Sequence, residues 1–293
     1  MAASPDGTVS WRELLDEARA QLDAAGLPNG SLEAQWLVQE ASGLEGSEYP
    51  GGLDGLGTVR GVATFDALMA RRLAGEPIQY VLGHWSFRSL DLMIDRRVLI
   101  PRPETESLVS IALDELARQR DGRPLVAADL GTGSGAIALS LAVEAEDVHV
   151  VAVEISIDAL AVARANLVGV GTPAARVQLV HGSWFEPLAG NEGRFNVVVS
   201  NPPYVATDEE LPVSVRAWEP TEALLAGPDG LDAARDILAE VPRWLAPGGA
   251  VIVELGADQL PAASELAVDA GLTDVAVFDD LAGLPRVLRA RKP

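Results

Sequence analysis

The 293-residue chain is long enough for two modest domains, and charge, Gly or Pro interrupts its apolar runs before any reaches the roughly 18 residues needed to span a bilayer. Twenty-two basic against 43 acidic residues give a formal charge of −21, which argues against a surface built to neutralise nucleic-acid phosphates. With no Cys, thiol nucleophiles, disulfides and Cys-ligated metals are excluded; His84, His149 and His181 lack metal-ligand spacing, so no metal is expected.

Residues 1–6 carry neither the basic nor the apolar block of a secretion signal, and a cytoplasmic protein with no membrane association is expected. Trp11, Leu14, Leu15, Ala18 and Leu22 then recur at helical spacing, with Ser10 as N-cap, Glu13 completing a capping box and Gly26 ending the helix. Leu32, Trp36 and Leu37 predict a second helix after Ser31, and Phe65, Leu68, Met69 and Leu73 a further one, with a Gly-rich loop over 49–57. Residues 1–83 therefore read as a small all-helical domain without a catalytic group.

From Trp85 the pattern alternates through Phe87, Leu90, Leu92 and Ile94, then Val98 and Ile100, which predicts a β-hairpin linker over 84–101 turning at Asp95-Arg96-Arg97. A helix follows, with Pro103 near its first turn and the acidic Glu104 and Glu106 favoured by the helix dipole. Over 102–293, apolar runs at 125–130, 149–154, 177–181, 195–200, 250–255, 275–278 and 287–290 alternate with helical segments at 137–145, 158–168 and 260–270. Strands apolar on both faces and separated by helices imply a doubly wound, mostly parallel α/β sheet, with the C-terminal pair antiparallel.

Two strand ends carry chemistry. After the first strand, Asp129 precedes Leu130-Gly131-Thr132-Gly133-Ser134-Gly135, where missing Cβ atoms permit a tight turn and close approach of a ligand. With Ala136 the turn also satisfies a dinucleotide fingerprint, so a nicotinamide enzyme and an S-adenosylmethionine enzyme both fit it. In either case Glu154, ending the next strand, would accept hydrogen bonds from the ribose hydroxyls. Ser183-Trp184-Phe185 lies where an adenine would rest, Trp184 being either a stacking wall or a packing aromatic.

The second strand end separates those readings. Asn201-Pro202-Pro203-Tyr204 follows the run 195–200, and because Asn201 and Pro202 each precede a proline, both are pushed into extended geometry. The Asn201 side-chain oxygen and the Pro202 carbonyl can then accept both hydrogens of a planar NH2 group, with Tyr204 beside it as a flat wall. Such a cradle suits methylation of an amide or aryl amine nitrogen and has no use in hydride transfer. Asp208, Glu209 and Glu210 read as a solvated loop.

Together with Gly75-Glu76-Pro77-Ile78-Gln79-Tyr80, Gly83, Phe87, the run Ile100-Pro101-Arg102-Pro103-Glu104-Thr105-Glu106, Glu219-Pro220 and Gly230-Leu231, these motifs make the chain resemble bacterial peptide chain release factor N5-glutamine methyltransferases, the PrmC/HemK family, over nearly its whole length. The resemblance implies a class I S-adenosylmethionine-dependent methyltransferase domain, Rossmann-like, preceded by a helical docking domain. It implies methyl transfer to the glutamine N5 of a Gly-Gly-Gln loop in release factors, yielding S-adenosylhomocysteine, without direct nucleic-acid binding. Carried over, Gly131, Thr132, Gly133, Ser134, Gly135, Glu154, Trp184 and Asn201 would contact the methyl donor, and Asn201 to Tyr204 the glutamine. Arg102 and Thr105 would line the cofactor pocket or cap the helix. The tetrad alone is shared with adenine-N6 and guanine-N2 methyltransferases, so a base methyltransferase is the alternative. The chain departs from the family at Glu154, where Asp is common, and at Ser183, where an acidic residue is frequent. No oligomeric state, choice of release factor or regulation is legible.

Overall fold

A computed structural model describes residues 8–293; residues 1–7, whose composition argues against a secretion signal, lie outside the described residues. The chain divides into two compact units, at Gly83 and His84. In the first, helices α1 (Trp11–Ala24), α2 (Gly30–Ser42), α3 (Glu48–Gly52), α4 (Val59–Leu73) and α5 (Ile78–Leu82) follow in order. The expected capping box opens α1, Glu13 N–H donating to Ser10 Oγ at 3.2 Å and Ser10 N–H to Glu13 Oε2 at 2.8 Å. The Gly-rich stretch expected to be a loop contains α3, because Tyr49 buries its ring in the core there.

The first part of the motif block is internal wiring of this unit. Arg71 donates to both Glu76 carboxylate oxygens at 2.8 and 2.7 Å and to the carbonyls of Tyr80 and Val81. Arg72 grips the buried Glu33 in a bidentate pair, 2.6 and 3.1 Å, and donates to the Glu76 carbonyl. The forked geometry satisfies a carboxylate that burial would otherwise penalise, and it clamps the α4–α5 junction.

The second unit begins with the hairpin β1 (His84–Phe87) and β2 (Leu90–Met93). Its turn lies at Arg88-Ser89 and not at Asp95-Arg96-Arg97. Arg88, at φ 52°, is held there by its backbone N–H on Glu106 and a bidentate guanidinium contact to Glu144, whereas Asp95 and Arg97 pair locally with each other. The hairpin expected as a linker is joined to the second unit: the Asn166 amide bonds both the N–H and the carbonyl of Met93.

Then follow α6 (Thr105–Arg118), β3 (Leu125–Leu130), α7 (Ala136–Glu144), β4 (Val148–Glu154), α8 (Ile157–Gly169), β5 (Val177–His181), β6 (Phe195–Ser200), α9 (Val213–Trp218), α10 (Asp232–Trp244), β7 (Leu245–Glu254), α11 (Leu260–Asp269), β8 (Thr273–Asp279) and β9 (Pro285–Arg291). The seven main strands lie in the order β5-β4-β3-β6-β7-β9-β8, parallel from β5 to β7, with β9 antiparallel to both its neighbours. This is the doubly wound sheet expected. Ala128, Leu130, Val153, Val198, Val251 and Val253 pack against α10 and α11 on one face. The intervening Ala127, Asp129, Ala152, Val197 and Val199 are fully buried on the other, beneath α6, α7 and α8. Covered faces on both sides are why the central strands lack polar alternation.

Glu115 joins α6 to the antiparallel edge. Its buried carboxylate accepts from Arg118, Arg289 and Arg291 at 2.5 to 3.1 Å, and these contacts outweigh desolvation and hold its pKa at about 2 against an ordinary 4.5. A depressed carboxyl stabilises the fold above its unfolded pKa, and that contribution drains away as pH falls from about 4.5 toward 2. Glu115→Gln is therefore expected to cost about 2–3 kcal/mol at pH 7, with the gap to the parent narrowing in acid, as measured by urea unfolding at several pH values.

Candidate active site

Strand order reverses between β3 and β6, and a ligand crevice forms beyond the carboxyl ends of strands at such a point. On the β3 side, Asp129 is fully buried; one oxygen accepts from the Thr132 hydroxyl at 2.6 Å and from Ala138 N–H at 3.1 Å, which fastens the turn to α7. Burial pushes this carboxyl up to about 7, with the Glu154 charge acting in the same direction. Gly131, Gly133 and Gly135 all take positive φ, 74°, 55° and 88°, a conformation that a Cβ opposes.

Glu154, at the end of β4, reaches across to this turn. Its Oε2 accepts from Gly133 N–H at 2.8 Å and its Oε1 from Ser156 N–H at 2.9 Å, leaving each oxygen a further lone pair. Trp184 follows β5 at φ 42°, its half-buried ring 3.7 Å from where a Gly131 Cβ would stand. Gly131, Gly133, Glu154, Ser183, Trp184 and Asn201 line one cavity of about 280 Å3. Thr132, Ser134 and Gly135 do not line it. Thr132 and Ser134 are buried within the turn, the Ser134 carbonyl accepting from Asn166, and Gly135 is the N-cap of α7.

Beyond β6, the Ser200 hydroxyl donates to the Leu130 carbonyl at 2.7 Å, locking the ends of β6 and β3 together. The next residue, Asn201, donates through Nδ2 to the Thr105 hydroxyl oxygen at 3.1 Å. Asn201 Oδ1 and the Pro202 carbonyl accept no hydrogen bond from the described residues. Pro202 is buried and Pro203 and Tyr204 half-buried. A second cavity of about 250 Å3 is lined by Pro202, Tyr204, Arg102, Glu209 and Arg286, and it shares Leu99, Asn201 and Ala223 with the first. Asn201 thus stands in the wall between two chambers.

Several supporting residues come from distant segments. Glu219, buried, accepts from Ile100 N–H at 3.2 Å and from the Arg102 guanidinium at 2.6 Å. Gln259 Nε2 donates to the Tyr204 and Asp229 carbonyls at 2.7 and 3.1 Å. Of the residues expected to line the cofactor pocket or cap the helix, Arg102 lines the second cavity and Thr105 lies buried at the start of α6, whose N-cap is Glu104. Pro103 accordingly precedes the helix. Glu254, at the end of β7, is 1% exposed and one of its oxygens has no partner; burial lifts its pKa to about 7, with the nearby Thr105 hydroxyl opposing the rise. The same burial, with Glu254 nearby, pushes the Tyr204 phenol up to about 12, so it stays neutral. Sequence reading missed Glu254 and Gln259; an acid ending a strand, as at Glu154, is the one signal that pointed to the former.

Chemically, the first chamber offers a carboxylate for a diol and a flat wall beside bare backbone, and the second offers two free acceptors for a planar NH2. Two family models match the chain, a methyltransferase small domain over residues 110–219 and a PrmC N-terminal domain over 13–83. A release factor glutamine methyltransferase of Geobacter sulfurreducens is 39% identical, covering 96% of either chain. One from Deinococcus radiodurans is 38% identical over 97% of this chain and 99% of its own. In fold, the chain is similar to the Thermus thermophilus 16S rRNA N2 G1207 methyltransferase, solved with AdoMet and guanosine, at a TM-score of 0.50 and 20% identity over 72% of this chain and 50% of that one. It is likewise similar to the hMettl16 catalytic domain, at a TM-score of 0.53 and 15% identity over 78% and 81%.

The tetrad's position depends on Gly230, where at φ 71° a Cβ would meet the Tyr204 carbonyl oxygen at 2.2 Å and Gln259 Nε2 at 2.4 Å. Gly230→Ala is expected to cost about 2–4 kcal/mol by chemical denaturation, and a loss below about 1 kcal/mol would show the Tyr204 backbone to be free to move.

Proposed function

The chain belongs to the release factor glutamine methyltransferase family, its second unit a class I methyltransferase fold, and from this we propose that it methylates N5 of the glutamine in the Gly-Gly-Gln motif of peptide chain release factors, with S-adenosylmethionine as donor. The observation that carries the reading is Asn201, whose Nδ2 is occupied by Thr105 while its Oδ1 stays open in the wall between the chambers.

The residues fit the donor. Glu154 has lone pairs left for two ribose hydroxyls, Gly131 and Gly133 let a ligand lie against backbone, and Trp184 offers a face to the adenine, with the Ser183 hydroxyl beside it. Thr132, Ser134 and Gly135 act by shaping the turn. Bound there, S-adenosylmethionine supplies an electrophilic methyl on sulfonium sulfur.

The chain's own residues then prepare the nucleophile. An amide nitrogen is weakly nucleophilic because its lone pair is delocalised into the carbonyl. Asn201 Oδ1 and the Pro202 carbonyl would hold the two N–H bonds, directing the lone pair at the methyl carbon and stabilising positive charge as it grows on nitrogen. The N–C bond forms as the S–C bond breaks, and its electron pair stays on sulfur, giving S-adenosylhomocysteine. One proton leaves the nitrogen, made acidic by alkylation, for water, so no strong base is called for. Tyr204, neutral at any working pH, walls the planar amide.

The same acceptors would serve an exocyclic amine of adenine or guanine. The net charge of −21 and the family relationship over both units favour the protein substrate. The helical unit is assigned the docking of the release factor, and the cytoplasm, where termination occurs, is the site of action.

With methyl-labelled S-adenosylmethionine, label is expected in purified release factor and not in tRNA, rRNA or DNA, and is lost when the loop glutamine is replaced; label confined to nucleic acid would overturn the assignment. Asn201→Ala is expected to lower kcat by about 10²–10³ with donor affinity nearly unchanged. Glu154→Gln should do the reverse, weakening donor binding by about tenfold or more in calorimetry.

A further inference from the structure

We infer that Thr105 and Glu254 form a positioning relay that decides which end of the Asn201 amide faces the substrate. The inference rests on the acceptor role given to Asn201 above.

A carboxamide has nearly the same shape in its two flipped orientations, but only one is productive here. With Oδ1 toward the second chamber, Asn201 accepts from the substrate NH2; with its own NH2 there, donor meets donor. Thr105 does not select between them unaided, because a hydroxyl both donates and accepts. It could equally donate to Asn201 Oδ1 and leave the Asn201 NH2 facing the substrate. What selects is the destination of the hydroxyl proton.

Thr105 is 4% exposed, so its proton needs a protein acceptor, and Glu254, 1% exposed, is beside it with one carboxylate oxygen left without a partner. An ionised carboxylate only accepts. In the relay it accepts a hydrogen bond from the Thr105 hydroxyl, whose Oγ1 keeps a lone pair for Asn201 Nδ2 at 3.1 Å, and Oδ1 is left toward the substrate. The relay joins α6, β7 and the loop after β6, three segments that only the folded sheet brings together. Neither residue touches the substrate; both act through Asn201.

The relay has a direction that reverses with protonation. A neutral Glu254 can donate to Thr105, which then donates to Asn201 Oδ1 and turns the amide the wrong way. Burial and Glu104 raise the Glu254 pKa to about 7, Thr105, Arg286 and Arg102 oppose the rise, and the neighbouring Tyr204 phenol is itself pushed up to about 12 and stays neutral. Turnover at saturating donor should therefore rise with pH through about 7.

The test is steady-state methylation of release factor by Thr105→Val, Thr105→Ser, Glu254→Gln and Asn201→Ala, each checked for folding by circular dichroism. Thr105→Val and Glu254→Gln are expected to lower kcat by about tenfold to hundredfold while KM for S-adenosylmethionine stays within about twofold, and both should lose the rise of kcat with pH. Thr105→Ser should restore most of the turnover and the pH profile. If Thr105→Val or Glu254→Gln keeps parental kcat while Asn201→Ala is inactive, the relay is wrong and the acceptor role stands. If Asn201→Ala itself keeps parental kcat, the acceptor role falls. Should Thr105→Val not fold, the isosteric Glu254→Gln and its pH profile decide the matter.

Discussion

Strands β3 and β6 run side by side at the centre of the sheet although residues 131–194 separate them in the chain, and the Ser200 hydroxyl pins their ends together through the Leu130 carbonyl. This pairing sets the distance between the glycine turn and the Asn-Pro-Pro-Tyr loop. One chamber opens on each side of Asn201 because both loops leave neighbouring strands at the same edge. Two adjacent parallel strands hold these loops beside each other with rigid elements instead of a mobile loop.

Around this junction, buried carboxylates do most of the fastening, each in a different way. Asp129 and Glu154 accept backbone N–H groups and so shape the turn. Glu219 draws together Ile100, Arg102 and the start of the α9–α10 connection. Glu115 is surrounded by three guanidinium groups and stays ionised well into acid, whereas Asp129 and Glu254, poor in cationic neighbours, are lifted toward neutrality. The contrast follows from what balances desolvation: several charged donors in the first case, only neutral hydroxyl and amide groups or remote cations in the others. The chain's acidity is thus not spread evenly between solvation and structure.

The motif block from Gly75 to Glu106 divides at the boundary between the units. Its first part, through Glu76, closes the helical unit on Arg71 and Arg72, and its second part brings Arg102 to the wall of the second cavity and Thr105 to Asn201. A block that looks like one signature in the chain therefore divides between two places, the closure of the helical unit and the wall of the second cavity.

From the residues in order, the central strands, the capping box at Ser10, the positive-φ glycines and the Asn-Pro-Pro-Tyr loop after β6 were all legible, because each is dictated by neighbours in sequence: apolar periodicity, a hydroxyl three residues from a carboxylate, a missing Cβ, a proline after Asn. The hairpin turn was misplaced, since Arg88 adopts its left-handed conformation only when Glu106 and Glu144 hold it. Thr132 and Ser134 were expected in the cofactor pocket and instead face into the turn. Which lone pairs remain unspent at Asn201 depends on Thr105, brought in from α6, and the lift of Glu254 toward neutrality depends on what the fold packs around the end of β7. Local geometry is short-ranged and can be read along the chain, whereas hydrogen-bond satisfaction and desolvation belong to whatever the fold places alongside.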